Sequence, residues 1–245
     1  MNAYISDALP IDDVTDGLIR TYPWTENESY AADKYYDFKA NPTLIPQALN
    51  SFKGWADWSE WEGVQLFYRL LEWLNGPASR LESNGCGFLG PHENPQKDLW
   101  PGELLTTGGL IFLFRDIELN LSEQSAAWAA LTMPDDGALP PLAPSKNISW
   151  LLRRCHEYLQ QLNPEFISGC VSVILFPTFY SELPLKRNDK FGHQVAFQWW
   201  VWGDTEKETM AHFREVVAAM FECLKRVSAE AETAIEKLRL ELKTR

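Results

Sequence analysis

The sequence predicts an α+β fold: a mixed or antiparallel sheet packed by two mid-chain helices and a long C-terminal helix. Three observations predict it. Apolar residues recur at three- and four-residue steps in three separated stretches, which marks one buried face of a helix. Between those stretches lie apolar or alternating runs: GLIFLFRDIEL over 109–119, CVSVILF over 170–176 and HQVAFQWWVW over 193–202. Such runs read as strands buried on one or both faces. Finally, 45% of the 245 residues are hydrophobic and 13% aromatic, enough apolar material for one sizeable core. The chain therefore reads as a single α+β domain over 1–245. A second reading has two related helix–strand halves, 1–133 and 145–245, joined by the proline-rich stretch 134–144.

The elements follow in order. Near the N-terminus, Pro10, Gly17 and Pro23 alternate with Tyr30, Tyr35, Tyr36 and Phe38, a pattern of short strands and loops. Pro42 and Pro46 fence the next stretch. From Trp55 a helical pattern develops, with Trp61, Val64, Phe67, Leu70, Leu71 and Leu74 on one face. Asn75-Gly76-Pro77 stops it, because glycine frees the C-cap and proline cannot continue the helix. CGFLGP over 86–91 leads into a polar loop with Pro91, Pro95 and Pro101.

Ser145 can cap the second helix, whose stripe runs Ile148, Leu151, Leu152, Cys155, Tyr158, Leu159 and Leu162 before Pro164 ends it. Thr205 and Glu208 have capping-box spacing and open the last helix. Its core stripe is Met210, Phe213, Val217, Met220, Phe221 and Leu224. An unbroken run of about 40 residues would be about 60 Å long. A break near Ser228, or an end projecting past the body, is expected. An internal echo supports the two-halves reading: Arg69, Glu72, Trp73 and Leu74 recur as Arg154, Glu157, Tyr158 and Leu159.

Charge narrows the function. The chain has 34 acidic and 22 basic residues, a net charge of -12, which argues against a basic nucleic-acid binder. Residues 1–62 hold eleven acids and four bases, so most of the excess lies in the first quarter. No window reaches about 18 uninterrupted apolar residues, so no membrane span is expected. The opening MNAYISDALP has neither a basic nor an apolar signal region, so no secretory signal is expected. Cys86, Cys155, Cys170 and Cys223 are dispersed without a CxxC pair. They read as small buried hydrophobes of a reducing compartment. The expected location is cytoplasmic.

Catalytic signatures are missing from the sequence. There is no GxSxG, P-loop or GxGxxG motif. His92, His156, His193 and His212 include no i, i+4 pair of the kind that binds zinc. A non-enzyme without metal or cofactor is expected. The alternative is a hydrolase or transferase of unrecognised class, built on His92, Glu93 and Asp98 in a loop where catalytic groups often lie.

Tryptophan is the unusual component, with eleven in the chain. In GWADWSEWEG, Trp55, Trp58 and Trp61 stand three apart, interleaved with Asp57, Glu60 and Glu62. Both readings stay open for them, filling the core or topping an acidic rim. Tryptophan is enriched at binding hot spots because its rigid ring covers much area at small entropic cost. In QWWVWGD, strand alternation sets Trp199 opposite to Trp200 and Trp202, so an indole-rich sheet face must be covered. The partner-binding candidates are Asp12, Asp13, Asp16, Glu26, Glu28, Asp57, Trp58, Glu60 and Glu62.

With these segments the chain resembles bacterial immunity proteins that neutralise polymorphic or type VI-secreted toxins. Those paired with restriction-endonuclease-like toxins are the subgroup it most resembles. The likeness is one of overall character: acidic, tryptophan-rich, α+β and without a catalytic signature. It implies a monomer or homodimer that blocks a cognate, basic toxin, with no nucleic acid or membrane as partner. A nuclease must present a basic groove to phosphates, and carboxylates with aromatic anchors can occupy such a groove.

Overall fold

Two antiparallel hairpins built from the apolar runs meet at the centre of one sheet. In this computed structural model, residues 1–6, 19–22, 38, 41–122, 144–182 and 190–243 are described. The strands are β1 (Asn2–Ser6), β2 (Ile19–Tyr22), β3 (Leu81–Glu93), β4 (Leu104–Phe114), β5 (Gly169–Glu182) and β6 (Lys190–Gly203). Their order is β1-β5-β6-β4-β3, and β2 also pairs with β5. The β1 and β2 pairings are parallel and the rest are antiparallel, so the sheet is mixed, as expected.

The helices are α1 (Ile45–Asn50), α2 (Lys53–Ala56), α3 (Glu62–Asn75), α4 (Lys146–Gln161) and α5 (Glu206–Lys243). The units α3-β3-β4 and α4-β5-β6 each run helix, strand, strand, and β4 pairs with β6 between them. The expected linker 134–144 lies outside the described residues, apart from Pro144.

Several sequence boundaries move. The segment 86–91 is not a lead into a loop but part of β3, which continues through Pro91 to Glu93. Proline is tolerated there because β3 is an edge strand. The strand expected at 109–119 begins earlier, at Leu104, and stops at Phe114. Asn120 ends it: its side-chain amide accepts from the Phe114 N–H at 2.9 Å and donates to the Phe114 carbonyl at 2.8 Å. A short 3-10 turn, Ile117–Leu119, follows.

One face of the sheet is sealed by helices. Val195, Phe197, Trp199 and Val201 of β6 join Leu110, Phe112 and Phe114 of β4 in the core. Against them pack the apolar stripes of α3, α4 and α5, the three predicted from periodicity. Gly108 lets β4 approach closely. A Cβ there would lie 2.3 Å from both the Gly87 carbonyl and the Trp199 ring.

The helix ends are satisfied in specific ways. Ser145 Oγ accepts from the Ile148 N–H at 3.2 Å. Thr205 Oγ1 accepts from the Glu208 N–H at 3.2 Å, while the Glu208 carboxylate accepts from the Asp204 N–H at 2.9 Å. At the far end of α3, the Arg115 guanidinium donates to the carbonyls of Leu74 and Gly76 at 3.2 and 2.6 Å, groups that a helix end leaves unpaired. The C-cap Gly76 keeps an ordinary negative φ of -78°, so here glycine serves proximity: a Cβ would lie 2.9 Å from the Glu72 carbonyl.

The last helix does not break at Ser228. Ser228 is buried, and its hydroxyl accepts the Arg80 backbone N–H at 2.8 Å. It therefore ties the helix to the chain just before β3, and the core stripe runs from Val227 across it to Ala231. Among the described residues no helix is long and apolar enough to cross a membrane. Cys155, Cys170 and Cys223 are buried and Cys86 is half-buried, all as free thiols. Burial pushes the thiols of Cys86 and Cys170 up to about 12, which keeps them protonated and unreactive at neutral pH.

Candidate protein-binding surface

The three tryptophans of GWADWSEWEG do not share one helix. The chain turns over 57–61, between α2 and α3, and this splits their fates. Trp55 is buried, stacked on Phe67 with ring centroids 5.3 Å apart and tilted against Phe88 at 4.9 Å. Trp58 and Trp61 are half-buried and lie 5.8 Å apart. Trp58 rests on β3 at Gly90, where a Cβ would fall 2.1 Å from the indole Nε1. Only a glycine at that place lets the ring lie against the strand.

The carboxylates beside them are exposed, and one of them is paired. Glu62 Oε2 pairs with Arg214 Nε at 3.1 Å. Glu60, Glu62, Gln65, Arg69 and Arg214 line an open cleft of about 410 Å³. Lys53 lies on α2, Arg69 on α3 and Arg214 on α5, and Arg214 pairs with Glu215 at 2.8 Å as well as with Glu62. At this corner, tryptophan and acid stand with arginines among them. The other partner candidates, Asp12, Asp13, Asp16, Glu26 and Glu28, lie outside the described residues.

A second tryptophan cluster stands on the other face of the sheet. The loop over 94–103 folds back because Asn94 organises it. The Asn94 amide donates to the carbonyls of Trp100 and Gly102 at 2.6 and 2.9 Å, and its oxygen accepts from the Gln96 N–H at 2.9 Å. Gly102 must be small, since a Cβ would lie 2.8 Å from the Gly203 nitrogen. The fold-back lays Trp100 on Trp200, with centroids 5.8 Å apart and planes at 16°, and against Trp202 at 5.2 Å. Leu105 and Cys170 complete the cluster. Trp202 is buried, whereas Trp100 and Trp200 are half-buried.

Here the charge is unbalanced. Glu93, Asp98, Glu103, Asp204, Glu206 and Glu208 are all exposed, and among the described residues of the segments 93–103 and 204–208 the bases are Lys97 and Lys207. Lys97 is held by Glu103, and this hydrogen bond raises the ammonium pKa. The Glu103 N–H reaches Asp204 Oδ1 at 3.4 Å, which ties the loop to the start of α5.

Both tryptophan groups flank the same strand end, 90–93. Trp58 lies on Gly90, and the Gly90 carbonyl faces His92 Nδ1 at 3.0 Å. His92 pairs in register with Leu105, whose other neighbour is Trp202. Sequence reasoning required a cover for Trp200 and Trp202 but did not find it. The cover is Trp100, brought there by the Asn94 loop. Of the catalytic alternative, Glu93 and Asp98 are exposed at the strand end and in the loop, while His92 is half-buried. Among the described residues no group of three or more His, Cys, Asp or Glu could hold a metal ion.

Three comparisons with known proteins, against family models, curated proteins and solved structures, each give no match to this chain.

Proposed function

We propose that this chain is a stoichiometric inhibitor that binds and blocks a basic protein, as an immunity protein holds its cognate toxin. One observation carries the reading. A half-open stack of indoles is built from the 94–103 loop and the end of β6, and the segments 93–103 and 204–208 carry six exposed carboxylates and two lysines. An unbalanced acidic field steers a basic partner and raises the encounter rate. Large rigid aromatics then slow its departure. The corner at Trp58 adds aromatic area near the same strand end. A nuclease toxin, whose phosphate-binding groove must be basic, suits the surface best.

The test begins with capture of a basic protein from the native host at low salt, followed by stopped-flow association. The double reversal Glu93→Lys with Asp98→Lys should slow association about tenfold at low salt. The difference should shrink as salt screens the field. Stability should change by less than about 0.5 kcal/mol, since both side chains are exposed. Recovery of no protein partner, or an on-rate indifferent to salt and to the reversal, overturns the reading.

A further inference from the structure

One arginine of this chain shows what an aromatic face and carboxylates do together. The Arg154 guanidinium carbon lies 4.6 Å from the Tyr158 ring centroid. Its Nε and Nη2 donate to the two oxygens of Glu230 at 2.9 and 2.6 Å, and its Nη1 donates to Glu157. The ring lies under the cation, while the Tyr158 hydroxyl, which accepts from Nη2 at 2.8 Å, and the carboxylates take its N–H groups. These are the two directions in which guanidinium interacts best.

The Trp100–Trp200 stack presents the same two components. Both rings are half-exposed and nearly parallel, and indole is the strongest cation–π face among side chains. The acids stand in the same loop and in the turn before α5. Lys97 is held by Glu103 and also feels Glu93 and Asp204, so one ammonium stands among three carboxylates, with Asp98 beside it in the sequence, and the group keeps a negative excess for a second cation. Leu99, 66% exposed beside Trp100, offers apolar surface to a long side-chain stem. Among the described residues, the cation–π contacts of this chain all lie on Tyr158 and Phe221, so its own described arginines and lysines sit elsewhere.

We infer that the Trp100–Trp200 stack is the seat of an arginine side chain from the bound protein. The guanidinium lies over indole and its N–H groups turn toward the loop carboxylates. Arginine is favoured over lysine because its planar, weakly hydrated cation can stack, whereas an ammonium acts as a hydrated point charge. This inference rests on the inhibitor reading for the identity of the partner, but the chemistry of the seat can be tested without one.

The probe is a capped five-residue peptide carrying two arginines, compared with its lysine and citrulline counterparts at low salt. Binding is read from tryptophan emission and from the indole N–H resonances, assigned with Trp100→Phe and Trp200→Phe. The arginine peptide should bind about fivefold more tightly than the lysine peptide. The uncharged citrulline peptide should bind far more weakly than either. The shifts should centre on the indoles of Trp100 and Trp200. Trp200→Leu should abolish the preference for arginine while leaving a salt-dependent attraction to both cations. Equal binding of arginine and lysine, or shifts confined to other tryptophans, overturns the inference. Should the leucine variant fail to fold, the shifts in the unaltered chain decide. The two readings fail separately. Arginine preference with no basic partner in the host removes the inhibitor but keeps the seat. A basic partner that binds the Trp200→Leu chain undiminished removes the seat but keeps the inhibitor.

Discussion

Trp199 and Trp200 are adjacent in sequence and opposite in consequence. Trp199 lies under the helices, fully buried, within 5.6 Å of Phe67 and 5.8 Å of Phe213 by ring centroid. Trp200 points through the other face, half-exposed, covered only in part by Trp100. The contrast extends along both faces. The helix side is a continuous apolar core, whereas the other side also carries exposed Gln198, Tyr4 and Leu89. The lesson is that an abundance of tryptophan does not by itself separate core from interface. Strand parity does, because successive side chains leave a strand in opposite directions.

The sharpest break in this comparison comes from deleting each ring. Trp199→Ala should cost about 3–5 kcal/mol, the range for a large buried aromatic, and should lower the urea midpoint accordingly. Trp200→Ala should cost less than half of that. Similar losses would mean that the two faces are equally part of the core.

Acid provides the next largest effect. Burial on β6 lowers the His193 imidazole to about 4, below its usual 6.5. As pH falls below 6.5, the unfolded chain takes up a proton that the folded chain refuses, so stability declines until the folded group also titrates near 4. The loss over that window is about 3 kcal/mol, at about 1.4 kcal/mol per unit. Denaturation at pH 7, 5 and 4 should show a slope that is flatter in His193→Gln. Parallel slopes would mean that His193 is charged in the folded state.

Two glycines sharpen the comparison further. Gly108→Ala pushes a methyl into Trp199 and the Gly87 carbonyl and should cost about 1–3 kcal/mol, the usual range for overpacking. Gly87, on the open face, has nothing within 4 Å of a Cβ, so Gly87→Ala should stay within about 0.5 kcal/mol. Thermal melts of the pair check this directly.

The smallest effect belongs to the surface network at Arg154. Its hydrogen bond holds the Glu230 carboxyl below the usual carboxylate range. That contribution is present at neutral pH and fades as pH drops through the lowered value. Both side chains are partly exposed, so Glu230→Gln should cost under about 1 kcal/mol. A double-mutant cycle with Arg154→Gln measures the coupling.

Much of the fold was legible because its signals are local. Ser145 and the Thr205–Glu208 pair cap their helices as their spacing requires. The stripes on α3, α4 and α5 face the sheet because periodicity alone chooses a helical face. Ser228 was misleading. A serine in a long helix looks like a weak point, yet it is stabilised by the Arg80 N–H from 148 residues away. The three-residue spacing of Trp55, Trp58 and Trp61 also misled, since helix and successive turns share that period. The site suffered most from this. Glu62 looked free in sequence and is paired with Arg214. Trp100, in a loop without periodicity, gave no sign that it would lie on Trp200.

By itself, then, the sequence determined the α+β class, the apolar face of each major helix, and the opposition of Trp199 to Trp200 and Trp202. All of these depend on neighbours within a few residues. Only the tertiary structure decided which carboxylates are matched by arginines and where indole meets an unbalanced field. Charge pairing and ring stacking act between groups distant in the chain, and no local pattern encodes which of them the folded backbone brings together.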